Sequence, residues 1–504
     1  WQAAVSTLLT LGLALPAAYV FARYRFPGKS TLKALSTLPF VLPTVVVANA
    51  FTALLGPRGL LNEALIALFD LSAPPIALNH TIWMIFLAHV FYNYSVALRL
   101  LSGYWQNLSP DVAQAATMLG ASPRRVFWHI TLPLLRPAIS ATAVLVFIFC
   151  FTSFGVVLIL GGPQFATLEV AIYEQASVYF NLPVAAALAI LQIIFTFVLM
   201  WFYTATQTRM ARPQRLIAAQ ANARPVQTRR DRLVVGGNLL LMLVLLGSPL
   251  VALVLRSFTG PDGLWLGYYA GLFVNERNSV FFVPPITAVR NSVLVALATM
   301  FTAVVLGLLS ALFIANEGDP NQSQHRALLA RLRRLLDPVF MLPLATSAVT
   351  LGFGYIVTFN QPPLRLVDSL LIMPIAHTLV AMPFVIRAVL PALRRIGPNL
   401  REAAAMLGAP PGRVWREVDW PLIRPAVVVG AVFAFTISMG EFGASLFLAR
   451  PGFPTMPVAI YRFLGQPGAL NYGQAIAMSC LLMLVCALGF VAIERFRLGD
   501  EGEF

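Results

Sequence analysis

Few residues of this sequence are spaced in a way that could do chemistry. The five histidines and three cysteines form no Cys-x-x-Cys pair and no Cys/His spacing typical of zinc. Gly28-Lys29-Ser30 matches the end of a phosphate-binding loop, but Arg23 occupies the place of its first glycine. The acidic residues are scattered over loops, so neither a carboxylate pair nor a Ser/His/Asp set is indicated. The sequence therefore predicts no catalytic residue, no metal site and no cofactor in this chain.

A few polar side chains stand instead inside long apolar segments, where an ionisable residue is a candidate for function. Glu441, in ISMGEFGASLFLA, is the clearest case. The candidate substrate-path residues are Ser153, Glu441, His89, His377, Tyr173 and Tyr461. The alternative stays open for each: hydrogen bonds between helices would satisfy the Glu and the His, and interfacial anchoring would account for the Tyr.

The elements that must position these residues are membrane-spanning helices. Hydrophobic residues make up 59% of the 504 and charged residues 11%, with a mean hydropathy of +0.78, whereas soluble chains carry about 25% charged residues. Uncharged stretches of roughly 20 residues recur throughout, which predicts an all-α polytopic bundle. The eleven predicted spans are 2–22, 34–56, 79–101, 138–161, 183–204, 233–255, 292–315, 336–358, 370–392, 426–448 and 474–493. Cys150, Cys480 and Cys486 fall in apolar segments and are interpreted as small apolar residues.

The net charge of +15 is carried by Arg and Lys clusters between the apolar stretches, which is the positive-inside pattern rather than a basic nucleic-acid-binding domain. The loops predicted to be cytoplasmic are 23–33, 105–137, 206–232, 316–335, 393–425 and the C-terminal tail. Residues 206–232 contain seven Arg and no apolar run, so we interpret them as a linker between a first half, 1–205, and a second half, 233–504.

An internal repeat relates the two halves. DVAQAATMLGASPRRVFWHITLPLLRPA begins at Asp111 and NLREAAAMLGAPPGRVWREVDWPLIRPA at Asn399, an offset of 399 − 111 = 288 residues. The same offset pairs His89 with His377 and Ser153 with Glu441. Both copies have the same predicted orientation, so this is a parallel repeat. The second half has six predicted spans and the first has five, so we expect a twelfth span before Trp1.

The best-matched part of the repeat lies in a predicted cytoplasmic loop of each half. An Ala-rich helix (112–119 and 401–407), a Gly at its C-terminus and a Pro at the start of a second helix predict a helix-turn-helix on the membrane surface. Such a loop is accessible to a soluble partner.

This segment resembles the EAA signature of the permeases of ABC importers. The second copy has Glu402-Ala403-Ala404, Gly408 and Pro421, and the first has Gln114-Ala115-Ala116, Gly120 and Pro133, with Gln in place of the acid. Over nearly its full length the chain resembles the fused two-half permeases of thiamine and ferric-iron importers. The fold that this implies is the type I ABC importer permease fold.

The resemblance implies that each short helix docks into one subunit of an ATPase homodimer, which binds ATP and Mg²⁺ in place of this chain. It also implies a periplasmic or lipid-anchored binding protein, a bacterial inner membrane location, and thiamine or ferric iron as substrate. A transport subunit of this kind is not an enzyme and needs no nucleic acid.

Three alternatives remain at this stage. The EAA helices would be plain amphipathic helices if they only packed under the bundle. A secondary transporter would need several intramembrane charges for ion coupling, and a membrane-embedded enzyme would need a metal or nucleophile cluster.

Overall fold

The computed structural model describes residues 1–108, 111–210, 223–260, 263–274, 283–315, 340, 343 and 346–500. The chain divides into two compact units, Trp1–Arg256 and Ser257–Phe504, each with its own dense internal packing. Nearly all described secondary structure is helical; the strands of the described part are β1 (Tyr24–Arg25), β2 (Arg224–Pro225), β3 (Thr259–Gly260) and β4 (Gly263–Leu264).

Ten of the described helices are long and apolar enough to cross a membrane. They are Gln2–Arg23, Thr44–Phe69, Ile82–Gln106, Pro123–Phe151, Leu182–Thr204, Arg229–Ser257, Pro285–Ala315, Ile372–Arg395, Pro411–Gly440 and Ala469–Glu494. They correspond to ten of the eleven predicted spans, with one correction. Predicted span 34–56 is not one helix but is divided among Lys29–Leu35, Leu38–Val41 and Thr44–Leu55, and Thr44–Phe69 is interrupted between Leu55 and Leu60. Pro43 before the third of these helices and Gly56-Pro57 after it favour the breaks. Much of the remaining one, 336–358, and the whole predicted loop 316–335 lie outside the described residues; what is described there is the short apolar helix Ala348–Phe359.

The described part of the first unit contains twelve α-helices. They are α1 (Gln2–Arg23), α2 (Lys29–Leu35), α3 (Leu38–Val41), α4 (Thr44–Leu55), α5 (Leu60–Phe69), α6 (Ile82–Asn107), α7 (Asp111–Met118), α8 (Pro123–Val126), α9 (Leu132–Phe151), α10 (Leu168–Tyr173), α11 (Leu182–Met210) and α12 (Arg229–Ser257). The centre of the first unit is formed by α1, α6 and α9, which pack on one another. Ala14, Ala17 and Ala18 of α1 are at most 1% exposed, and such small side chains let membrane helices approach closely.

Helix α12 is fastened to the first unit at both ends. Near its start, β2 pairs in parallel with β1, and the Tyr24 hydroxyl donates to Asp231 Oδ1 at 2.9 Å. Near its end, Arg256 forms a bidentate ion pair with Glu63, with Nη2–Oε1 at 2.8 Å and Nη1–Oε2 at 2.9 Å. The residues of α12 therefore cluster with the first unit, although the sequence repeat assigns 233–255 to the second half; the division of the chain at 206–232 stays a prediction.

The second unit repeats this plan. Its described α-helices are α13 (Gly267–Ala270), α14 (Pro285–Ala315), α15 (Ala348–Phe359), α16 (Ile372–Arg395), α17 (Pro398–Met406), α18 (Pro411–Val414), α19 (Trp420–Gly440), α20 (Gly443–Leu448), α21 (Met456–Leu464) and α22 (Ala469–Asp500). The central helices are α14, α16 and α19, the repeat equivalents of α1, α6 and α9.

Glycine allows these three central helices to meet. A Cβ added at Gly307 of α14 would lie 2.8 Å from Val385 Cβ, and one at Gly430 of α19 would lie 3.2 Å from Val385 Cα. Val385 itself is fully buried. A larger residue at either glycine would push the helices apart, because interiors packed this densely have no spare volume.

Candidate coupling loops and buried polar sites

The first candidate coupling loop joins α6 to α9. Helix α7 carries Gln114, Ala115 and Ala116 and ends in a turn in which Gly120 has φ +84° and Ala121 N–H donates to Ala116 O at 3.0 Å. This is the Schellman arrangement that closes a helix with a left-handed glycine. The Ser122 hydroxyl then accepts from Arg125 N–H and caps α8, which continues through a π-turn at Phe127–Thr131 into α9. Pro133 lies in the first turn of α9, directly after the π-turn.

The second loop has the same geometry, displaced by 288 residues. Helix α17 carries Glu402, Ala403 and Ala404, Gly408 has φ +80°, and Ala409 N–H donates to Ala404 O at 3.0 Å. Helix α18 and the π-turn Trp415–Asp419 lead into α19, with Pro421 in its first turn. The structure therefore confirms the predicted helix-turn-helix and the glycine C-cap in both halves.

The tips of the two loops expose large apolar side chains. Met118 and Leu119 are 90% and 88% exposed, and their repeat equivalents Met406 and Leu407 are each 89% exposed. The hydropathy pattern did not predict this pair, because an apolar residue at a helix end is ordinarily buried. Apolar side chains exposed together are typical of surfaces that contact a protein partner or a membrane.

An ion pair braces the second loop. Arg401 Nε lies 2.8 Å from Asp419 Oδ1 and so ties α17 to the π-turn before α19. Glu402, the acid of the signature, is exposed. The first half cannot form the equivalent ion pair, because Ala113 and Thr131 occupy the positions of Arg401 and Asp419. Both loops keep the same backbone with different side-chain bracing.

Glu441 lies in a break between two helices, not within a continuous span. Helix α19 ends at Gly440 and α20 begins at Gly443. The buried Glu441 carboxylate accepts hydrogen bonds from Ala444 N–H, Ser445 N–H and the Ser445 hydroxyl, each at 2.8 Å. It is therefore fully engaged in holding the first turn of α20.

His377 completes this buried polar group. Its Nδ1 shares a hydrogen bond with the Ser438 hydroxyl and its Nε2 shares one with the Ser445 hydroxyl, both at 2.8 Å. Its Nε2 also lies 3.3 Å from Glu441 Oε2. The structure thus brings together two of the predicted candidates, His377 and Glu441. Their contacts are hydrogen bonds between helices, which is the alternative to a substrate-path role that the sequence left open.

The equivalent histidine of the first unit has other partners. His89 Nδ1 shares hydrogen bonds with Gln2 Nε2 at 2.8 Å and Ser6 Oγ at 3.0 Å, and no partner is present for its buried Nε2 among the described residues. Cys150 and Val157 stand where the second half has Ser438 and Ser445, so the serine partners are missing. The repeat preserves the histidine but not its environment.

The remaining candidates lie beside these breaks. Ser153 is half-buried in the break after α9, which ends at Phe151. The Tyr173 ring packs edge-on against Phe154 at a centroid distance of 5.6 Å, and Tyr461 packs against Phe442 at 5.5 Å. The predicted continuous spans 138–161 and 426–448 are therefore wrong in their C-terminal part, where one helix ends and another begins. Gly155 and Gly443 were the available signal for these breaks.

A buried acid escaped the sequence analysis. Glu169, near the start of α10, is 0% exposed and accepts a hydrogen bond from Gln192 Nε2 of α11. Its repeat equivalent is Pro457, so the internal alignment gave no reason to single it out. In the described residues no group of three His, Cys, Asp or Glu is placed to hold a metal ion, and Cys150, Cys480 and Cys486 are buried free thiols.

Comparison with known proteins agrees with this two-half plan. The family model for the binding-protein-dependent transport system inner membrane component matches residues 12–212 and again 303–497. The chain is 28% identical over 506 residues to the thiamine transport system permease protein of Brucella abortus (strain 2308), covering 98% of this chain and 86% of that protein. The corresponding protein of Escherichia coli (strain K12) is also 28% identical over 506 residues, covering 98% and 87%.

A third relative is a probable ABC transporter permease protein of Sinorhizobium fredii (strain NBRC 101917 / NGR234), 28% identical over 525 residues, with 100% of this chain and 87% of that protein covered. The family model matches each half once and includes both candidate coupling loops. The chain belongs to the family of inner membrane components of binding-protein-dependent transport systems.

Proposed function

We propose that this chain is the permease subunit of an ATP-driven thiamine importer and that its two loops couple it to two ATPase subunits. The observation that carries the coupling role is the pair of identical helix-turn-helix tips. Met118-Leu119 and Met406-Leu407 are almost fully exposed at the same repeat positions. A permease with two equivalent apolar tips suits a partner with two equivalent grooves, such as an ATPase homodimer.

We propose a cytoplasmic location for both loops, the linker and the C-terminus. Its support is the positive-inside distribution: the Arg and Lys clusters all fall on one side when the spans alternate. ATP and Mg²⁺ would then be bound by the partner subunits on that side, and a periplasmic or lipid-anchored binding protein would deliver cargo on the other.

Thiamine is the proposed cargo because two relatives that cover nearly the whole chain are named as thiamine transport permeases. The ferric-iron alternative receives no such support from these relatives. Ser153, Glu441, His89, His377, Tyr173 and Tyr461 remain proposed path residues. Their support is position: each unit breaks a span beside them, and broken helices adjoin the substrate in several transporters.

The deciding experiment is co-purification of this chain with the ATPase subunit that pairs with it, followed by ATP-dependent uptake in proteoliposomes. We expect a stable complex of one permease and two ATPase subunits. Gly408→Asp should uncouple ATP hydrolysis from uptake, because it adds a Cβ at a backbone with φ +80° and a negative charge beside the apolar tip. Glu402→Lys should do the same by reversing the charge at the exposed docking face. The proposal fails if no complex forms, or if both variants transport like the parent protein.

A further inference from the structure

A deep cleft of about 1030 Å³ lies within the first unit, between α1 and the first coupling loop. On one side it is lined by α1 and on the other by α7, α8 and the start of α9. Helix α7 packs mainly on α8 and the following π-turn, so the cleft separates it from α1. The cleft therefore lies behind the coupling loop, and Met118 of the tip also lines it.

The cleft runs along α1 and changes from an apolar lining at Gly12 and Leu15 to a charged lining at Arg23. Gly12, Leu15, Tyr19 and Arg23 of α1 all line it, and their spacing of three to four residues places them on one face of the helix. From Gly12 to Arg23 the helix rises roughly 16 Å, at 1.5 Å per residue. That is about half the thickness of the hydrocarbon core of a bilayer. The cleft thus spans about one leaflet, with its charged end at the end of the span.

The cleft offers several hydrogen-bond donors. Arg23, Arg224, Tyr19, Trp105 and Gln114 are among the residues that line it, and none of the described lining residues is Asp or Glu. Trp105 is 3% exposed, and its buried Nε1 has no hydrogen-bond partner in the described part of the chain. Arg224 is already paired with Asp231 at 3.1 Å, whereas no described carboxylate forms an ion pair with Arg23. A half-buried guanidinium that lines a cleft without a lining carboxylate suits an anion.

The second half does not share this chemistry. At the repeat positions of Arg23, Trp105 and Gln114 it has Ala311, Leu393 and Glu402. Asp419 stands at the position of Thr131 and is paired with Arg401. The donors are therefore a property of the first half alone, and they include Gln114, the residue at which the first loop departs from the EAA signature.

We propose that this cleft binds an anionic phospholipid of the leaflet next to the coupling loops. Its phosphate would contact Arg23, and an acyl chain would lie along Leu15 and Gly12. Basic pockets at the ends of membrane helices bind acidic headgroups in this way. The inference takes the sidedness of the leaflet from the proposed function.

Other occupants fit the cleft less well. Thiamine carries a permanent positive charge on its thiazolium ring, so Arg23 in a cleft without a lining acid disfavours it. Residues 211–222 are linked to Arg224 along the chain, but they contain Arg212 and Arg215 and no acid. A soluble subunit would not reach the apolar end, which lies at the depth of a membrane span.

The test measures lipid binding to the full chain in detergent by native mass spectrometry, with no ATPase present. Phosphatidylglycerol and phosphatidylcholine with the same acyl chains are compared, and inorganic phosphate is added as a competitor. We expect tighter binding of phosphatidylglycerol by about tenfold or more, because only its headgroup carries a net negative charge. Millimolar phosphate should not displace it, since phosphate has no acyl chain.

Variants locate the site. Arg23→Gln should lower the affinity for phosphatidylglycerol about tenfold, and Gln114→Glu should lower it by placing a carboxylate beside the phosphate. Arg25→Gln is the matched control, because Arg25 lies two residues away, is exposed and does not line the cleft. Gly12→Leu tests the apolar end, and a Cβ at Gly12 meets nothing within 4 Å, so the helix accommodates it. Gly247→Leu is its control, with equally open surroundings outside the cleft.

An equal loss of affinity for phosphatidylglycerol in Arg23→Gln and Arg25→Gln would overturn the proposal. Unchanged affinity in Gly12→Leu would also overturn it. Displacement by inorganic phosphate would identify a free-anion site in place of a lipid site. These readouts do not require transport. A failed complex with the ATPase would therefore leave the lipid result standing, and a failed lipid result would leave the coupling proposal standing.

Discussion

Replacing the exposed leucine at each coupling tip by serine tests whether these tips bind a partner. Leu119 and Leu407 are 88% and 89% exposed, so in the isolated chain they gain almost nothing from burial. If both become buried in ATPase grooves, each contributes about 1.5–3 kcal/mol, the range for a leucine side chain. Since about 1.4 kcal/mol corresponds to tenfold in affinity, serine should weaken binding about tenfold to a hundredfold per loop.

The assay is a titration of the ATPase subunit onto the permease in lipid nanodiscs, with the thermal unfolding of each variant measured alongside. Leu119→Ser and Leu407→Ser should unfold like the parent, because the leucines make little contact within the chain. Leu364→Ser is the control; Leu364 is 58% exposed and lies in a loop predicted on the opposite face. The reasoning is refuted if affinity changes less than twofold at both tips, or if the control weakens binding equally.

Three further perturbations follow from the geometry. Gly408→Ala should destabilise the second loop by about 1 kcal/mol because Gly408 has a positive φ, and hydrogen exchange of the loop should accelerate. Gly412 has no positive φ and lies in open space, so Gly412→Ala should leave the exchange rate unchanged. Equal effects of the two variants would contradict the strain argument. Glu441→Gln should lower stability by about 1–3 kcal/mol, since an amide has one acceptor oxygen for the three bonds that the carboxylate accepts. Glu417→Gln, which loses an exposed ion pair, should cost at most about 1 kcal/mol in the same unfolding experiment; a larger loss than Glu441→Gln would be inconsistent with a structural role for Glu441. Asp231→Asn should speed proteolysis of the chain between β2 and α12 by weakening its bonds to Tyr24 and Arg224, and an unchanged cleavage rate would show that these bonds do not hold the segment.

The coupling loops were predictable because their geometry is local. A helix that ends at a left-handed glycine and restarts at a proline is determined by neighbouring residues. Gly120 and Gly408 therefore indicated the turn, and the repeat register indicated that it occurs twice. The same register carried over to the π-turns, which begin at Phe127 and Trp415, 288 residues apart.

The exposure of the tip residues was not predictable, because hydropathy does not distinguish an apolar side chain within a span from one at the exposed tip of a loop. Leu119 and a leucine of a candidate span such as Leu240 are equally apolar in the sequence, and both are exposed in the isolated chain. Their difference is position: Leu119 lies at the end of a short helix outside the spans, whereas Leu240 lies within one.

Buried polar partners depend on tertiary contacts that sequence separation hides. His377 meets Ser438 and Ser445 from 61 and 68 residues away, and Glu169 meets Gln192 from another helix. The repeat placed His89 and His377 at equivalent positions but did not show that Cys150 and Val157 replace the serines as neighbours. Equivalent backbone positions constrain packing more strongly than they constrain hydrogen bonds.

The most direct measurement of the central claim is thiamine uptake by proteoliposomes that contain this chain, the ATPase subunits and the binding protein. We predict that labelled thiamine accumulates only when ATP is present in the compartment to which the coupling loops are exposed. We also predict that this accumulation is lost in the double variant Leu119→Ser, Leu407→Ser. Uptake that proceeds without ATP and follows an imposed ion gradient, or that survives the double variant at the parent rate, would contradict the account.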